Sequence, residues 1–83
     1  MSEKILVTGS AGFIGFHFSK FLLEKRFKVI GIDNLNNYYN NKIKKDRIKI
    51  LKKNKNFKFF KNDILNKNFL EKMIKTYKIS KIV

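Results

Sequence analysis

Cysteine is missing from this 83-residue chain, which removes disulfides, thiolate catalysis and thiolate metal sites. A single histidine, His17, leaves too few ligands for a conventional zinc cluster. No apolar run approaches the ~20 residues that a membrane span requires. The opening MSEKILVTG also lacks the long apolar stretch and small-residue cleavage site of a secretory signal. A cytoplasmic protein with no membrane partner is expected. Proline is absent as well, and neither an internal repeat nor an interdomain linker is visible.

Acidic residues are scarce: six stand against twenty basic ones, for a formal net charge of +14. Such a balance can mark a nucleic-acid-binding surface. Yet eighteen of the twenty are lysine, and only Arg26 and Arg47 carry the planar fork that phosphate and base-edge recognition favours. The lysines are spread from Lys4 to Lys81, amid abundant Asn, Ile and Phe, as AT-rich codon usage would give. Solvated lysine faces are therefore expected in preference to a nucleic-acid partner. A hydrophobic content of 43% is that of a globular chain. At this length it forms at most one small domain, burying roughly 60–65% of the surface its unfolded form exposes.

Apolar periodicity sets the order of elements. Lys4–Thr8 (KILVT) is a short apolar run, read as a buried strand. From Phe13 the period changes to that of a helix, with Ile14, Phe18, Phe21 and Leu22 expected on its inner face. Residues 27–32 (FKVIGI) form a second strand closed by Asp33, and NLNNYYNN is a polar loop. A weaker helix over 42–53 places Ile43, Ile50 and Leu51 on one face, and Phe57–Lys61 (FKFFK) is a third strand. Asn68 and Glu71 have the spacing of a capping box, opening a helix whose inner face holds Leu70, Met73, Ile74 and Tyr77. Residues 81–83 begin a fourth strand. The order β-α-β-α-β-α-β predicts an α/β fold, the first half of a Rossmann-type doubly wound parallel sheet with right-handed crossovers. The domain is taken as residues 1–83, a half-domain of that sheet.

Glycine is the last scarce residue, and its placement is informative. Three of the four fall within the stretch LVTGSAGFIG, at Gly9, Gly12 and Gly15, between the first strand and the first helix. There a helix N-terminus can receive a pyrophosphate, since its free N–H groups and dipole favour negative charge. Gly9 permits the tight turn, Gly12 lets the backbone approach the phosphates, and Gly15 lets the helix pack close to the sheet. A tight turn with no ligand is the other reading of these glycines. Asp33 favours the first: it ends the second strand, 18 residues after Gly15, where a carboxylate can accept both hydrogen bonds of an adenosine ribose diol. The same charge repels a 2′-phosphate, so NAD is expected over NADP. Asp63 and Ile64, after the third strand, lie at the same sheet edge and can reach the adenine.

The run Thr8-Gly9-x-x-Gly12-Phe13-Ile14-Gly15 resembles the TGxxGxxG signature of the extended short-chain dehydrogenases/reductases, the NAD-dependent epimerase/dehydratase group acting on nucleotide sugars. Residues 31–40 (GIDNLNNYYN), taken with Gly12-Phe13-Ile14-Gly15-Phe16-His17, are most similar to the UDP-glucuronate 4-epimerases of that group. The resemblance covers all 83 residues, but only the front of that family's longer chain. It implies NAD contacts from Gly9, Gly12, Phe13, Ile14, Asp33, Asn34, Leu35, Asn36, Asp63 and Ile64. Phe13 and Ile14 would act through their backbone N–H groups, their side chains being core. It further implies a UDP-sugar substrate and a homodimer for the full-length relative.

In that family a Tyr-x-x-x-Lys pair on a later helix does the chemistry, the tyrosine serving as general acid or base. Tyr77-Lys78-Ile79-Ser80-Lys81 matches the spacing, but residues 79–83 read as a strand and Tyr77 continues an apolar helix face. No catalytic residue is assigned to this chain. It is expected to be a fragment, a truncated gene product or an excised half-domain, inactive alone. The front half of a sugar-nucleotide dehydratase or an NAD-dependent reductase is the alternative. From another class comes a small basic nucleic-acid-binding protein, with Tyr38 and Tyr39 as stacking groups.

Overall fold

The computed structural model describes residues 3–35 and 41–83. Strands and helices alternate along the chain: β1 (Lys4–Thr8), α1 (Phe13–Glu24), β2 (Lys28–Asp33), α2 (Asn41–Lys52), β3 (Phe57–Lys61), α3 (Lys67–Tyr77) and β4 (Lys81–Ile82). The strands form one sheet in the order β3-β2-β1-β4, and every neighbouring pair is parallel. This is the α/β half of a Rossmann sheet that the alternation predicts. The strand order reverses at β1, so the C-terminal end of β1 lies at the point where open parallel sheets place ligands.

The sheet is covered on both faces, which explains the unbroken apolar runs in β1 and β2. Ile5, Val7, Val29 and Phe57 project to one side and pack with Phe16, Leu22 and Leu23 of α1 and Ile48 and Leu51 of α2. Leu6, Ile30 and Ile32 project to the other side, against Met73, Leu70 and Tyr77 of α3. Fully burying one such side chain contributes ~1.5–3 kcal/mol, so these two clusters hold the sheet between its helices.

Two helices are turned in part from the faces that apolarity predicts, although Leu22 and Leu51 are buried and Phe18 packs on the core as expected. In α1 the buried residues are Phe16, Ser19, Leu22 and Leu23, whereas Ile14 is 81% and Phe21 50% exposed. The cause is Gly15. A Cβ there would collide with the Gly9 carbonyl oxygen and stand 2.8 Å from its carbonyl carbon. The inner face of α1 is therefore defined by small residues, Gly15 and Ser19, as much as by large ones. Gly15 closes the helix onto the turn, at Gly9 and Ser10. In α2, Ile48 and Leu51 are buried while Ile43 and Ile50 are about half exposed. That rotation brings Lys44 towards Asp33 and Arg47 towards Ala11.

The start of α3 differs too. Its N-cap is Asn66, whose side chain accepts the Phe69 N–H at 3.1 Å, so Asn68 lies inside the helix. The shift follows from the preceding turn, where the Leu65 N–H donates to Asp63 Oδ1 and the Asn66 N–H to the Asp63 carbonyl. Gly31, in mid-strand β2, has a packing role: a Cβ there would stand 2.6 Å from Ser10 Oγ and 2.8 Å from Phe57 Cζ.

Candidate functional site

The turn from β1 to α1 is built by backbone hydrogen bonds to its neighbour strand. The N–H groups of Gly9 and Ser10 both donate to the Ile32 carbonyl, at 2.8 and 3.2 Å, and the Gly12 N–H donates to the Gly9 carbonyl at 3.0 Å. Gly9 holds φ at +66°, a conformation that L side chains disfavour, with nothing near enough to crowd a Cβ. Gly12 is the N-cap of α1 in extended conformation.

What α1 lacks is a side-chain cap. Among the described residues no side chain accepts from its first turn, and that turn carries no acidic residue. The N–H groups of Phe13, Ile14 and Gly15 have no intrahelical acceptor. By contrast, α3 is capped by Asn66. The uncapped end of α1 thus offers backbone donors and the positive end of the helix dipole to an anion. The side chains of Phe13 and Ile14 stand out from the protein, 66% and 81% exposed. They are not core, because the helix turns its small face inward.

Asp33 secures the turn. It is buried, and its Oδ2 accepts the Ala11 N–H at 3.0 Å while Oδ1 accepts the Leu35 N–H at 2.8 Å. Each carboxylate oxygen keeps a further lone pair for a ligand hydroxyl. Lys44 Nζ approaches Oδ1 at 3.9 Å, and Arg47 Nη1 donates to the Ala11 carbonyl at 3.1 Å. Neither cation of α2 was singled out by the sequence reading. Their spacing with Ile48 and Leu51, at i, i+3, i+4 and i+7, is the signal that could have found them.

Two clefts meet at the turn. One, of about 260 Å³, is lined by Thr8, Gly9, Ile32, Asp33, Asn34, Asn62, Asp63 and Ile64. The other, of about 510 Å³, runs past Gly12, Phe13, Ile14, Gly15 and Phe18 to Val83, and also includes Thr8 and Gly9. Asp33, Asn34, Asp63 and Ile64 are thereby brought together on one side of the glycines. Leu35 packs beside them through its tie to Asp33. Asn36 lies outside the described residues, as do Tyr38 and Tyr39.

Tyr77 and Lys81 do not share a helical turn. Tyr77 ends α3, Lys78 follows in left-handed conformation with φ +52°, and Lys81 is in β4. The Tyr77 ring packs against Phe60 at a centroid distance of 5.8 Å, with Lys58 5.2 Å from its centre. No helix among the described residues is long and apolar enough to cross a membrane.

The profile of the GDP-mannose 4,6 dehydratase family matches residues 6–83. The chain belongs to this family. The match agrees with the resemblance of residues 8–15 to the NAD-dependent epimerase/dehydratase signature. A UDP-glucuronate 4-epimerase from Thermodesulfobacterium geofontis is 46% identical over 78 residues, covering 94% of this chain and 24% of that relative. The structure of UDP-glucuronic acid 4-epimerase from Bacillus cereus, in complex with UDP-glucuronic acid and NAD, superimposes with a TM-score of 0.84 at 38% identity. It covers 96% of this chain and 25% of that one. The dTDP-glucose 4,6-dehydratase from Bacillus anthracis in complex with NAD gives 0.83 at 34% identity, covering 96% and 25%. The chain spans about a quarter of the length of the curated relatives it matches.

Proposed function

We propose that this chain binds NAD as the cofactor-holding part of a nucleotide-sugar epimerase whose whole protein acts on a UDP-sugar of the UDP-glucuronate type. One observation carries the cofactor assignment: two clefts share Thr8 and Gly9, the helix N-terminus without a side-chain cap lines one, and the fixed Asp33 lines the other. That shape suits a dinucleotide, with the diphosphate over the turn and a nucleoside on either side. The NAD named with the Bacillus relatives supports the same ligand.

In this reading Gly9, Gly12 and Gly15 shape the turn, and the Phe13 and Ile14 N–H groups hold the diphosphate. Asp33 accepts the adenosine ribose hydroxyls, bordered by Asn34, Leu35 and Asn36, and Asp63 and Ile64 flank the adenine. When bound, NAD supplies a hydride acceptor and donor for transient oxidation at C4 of the sugar. The catalytic Tyr-x-x-x-Lys pair is assigned to no residue of this chain. The epimerase reading is preferred to a dehydratase because relatives named UDP-glucuronate 4-epimerase recur among the sequence matches.

Calorimetric titration of the chain with NAD and NADP tests the cofactor. Binding of NAD is expected, with NADP at least about tenfold weaker, because the Asp33 carboxylate gains hydrogen bonds from a diol and repels a phosphate. Equal affinity for the two overturns the role of Asp33.

A further inference from the structure

The two long-range hydrogen bonds that converge on Ala11 come from different elements. Its N–H is held by Asp33 at the end of β2, and its carbonyl by Arg47 from the middle of α2. Ala11 is fully buried and directly precedes the N-cap Gly12. Gripping one residue at both polar groups fixes the peptide planes on either side of it, and hence the entry angle of α1.

The position of Arg47 is electrostatically unusual. Its guanidinium bonds a carbonyl just before α1 and lies 5.9 Å from the ring centre of Phe13, the first helical residue. A cation beside the positive end of a helix dipole is disfavoured. Lys44, one turn earlier on α2, finds its counter-charge in Asp33. Arg47 has no carboxylate partner within salt-bridge distance among the described residues. An anion arriving over the α1 N-terminus would relieve that imbalance, so Arg47 both shapes the turn and favours a negatively charged occupant.

We propose that Arg47 is a positioning residue for the phosphate-facing turn, acting through the Ala11 carbonyl. The proposal rests on the cofactor reading above for its ligand, though not for its geometry. Two measurements on the full chain, as wild type, Arg47→Met and Arg47→Lys, test it. The first is amide hydrogen exchange without ligand. Protection of the Ala11 and Gly12 amides should fall about tenfold in Arg47→Met, the loss of one charge-assisted hydrogen bond, while Leu6 and Val7 in β1 keep theirs. Arg47→Lys should restore part of it. The second is titration with adenosine and with ADP. Arg47→Met should weaken ADP by about tenfold and leave adenosine within twofold.

Unchanged protection at Ala11 and Gly12 overturns the proposal. Equal weakening of adenosine and ADP overturns it as well, since that is the mark of a general structural loss. A wild-type chain that binds neither NAD nor ADP refutes the cofactor reading instead, and the exchange measurement then decides the role of Arg47 by itself.

Discussion

Gly15 rests directly on the carbonyl group of Gly9, with no room between them for a methyl group. The contact joins the first turn of α1 to the end of β1 and holds the helix N-terminus over the sheet edge. Gly15→Ala must push the helix off the turn, and overpacking of this kind costs ~1–3 kcal/mol. Gly12→Ala, whose Cβ would stand 3.3 Å from the same oxygen, needs only a shift of a few tenths of an ångström. Urea denaturation should therefore show a large loss for Gly15→Ala and a small one for Gly12→Ala. The reverse order would mean that the helix does not close on the turn as described.

Gly12→Val should separate folding from binding. Gly12 lines the second cleft, and a branched side chain there takes space that the proposed diphosphate needs. NAD affinity is expected to be lost with helical circular dichroism nearly unchanged. Binding retained within threefold would make the glycine run a structural turn alone.

Asp33→Ala removes the acceptor for the Ala11 and Leu35 N–H groups as well as the expected ribose contact. NAD binding should weaken by ~1.5–3 kcal/mol, the value of charge-assisted hydrogen bonds. NADP should lose less, because its repulsion disappears too. Calorimetry with both cofactors checks the difference; a parallel loss would point to collapse of the turn in place of a lost ribose contact.

Ser19 is fully buried in the inner face of α1, and its hydroxyl has no hydrogen-bond partner among the described residues. Leaving such a group unsatisfied is costly, so Ser19→Ala, which keeps the small volume, should stabilise the chain by ~1 kcal/mol. A rise in the urea midpoint is the expected result. A fall of similar size would show that the hydroxyl is satisfied in solution.

Lys78 terminates α3 in left-handed conformation, its N–H bonded to the Ile74 carbonyl. Glycine takes this position without the steric cost of a Cβ, so Lys78→Gly should add ~1 kcal/mol and raise the melting temperature by a few degrees. Lys78→Ala retains the Cβ and should gain nothing. Equal effects of the two variants would assign the change to charge.

The strands and the glycine turn were legible in the sequence for a definite reason. A strand buried on both faces is a plain apolar run, and Gly9, Gly12 and Gly15 stand where the turn needs a positive φ or a close backbone approach. The inner faces of α1 and α2 were only partly legible from apolarity: Phe18, Leu22 and Leu51 pack inward as expected, but Ile14, Phe21, Ile43 and Ile50 do not. In α1 the close approach selects Gly15 and Ser19, which carry no hydrophobic signal, and leaves Ile14 in solvent. In α2 the stems of Lys44 and Arg47 occupy the inward face so that their charges reach Asp33 and Ala11. Among eighteen lysines a basic residue reads as solvated, so these two gave no cue of their own. Asn66 was hidden because Asn68 offered the better-known capping pattern.

The meeting of the two clefts at Thr8 and Gly9 has a thermodynamic consequence. A molecule filling only one cleft gains only that cleft's contacts. A molecule that bridges the turn meets the second cleft as an intramolecular event, at an effective concentration in the millimolar range set by its short linker. The translational cost is then met once for both halves. Two mononucleotides offered separately should therefore compete poorly with the same two groups joined through a diphosphate, even where every individual contact is the same.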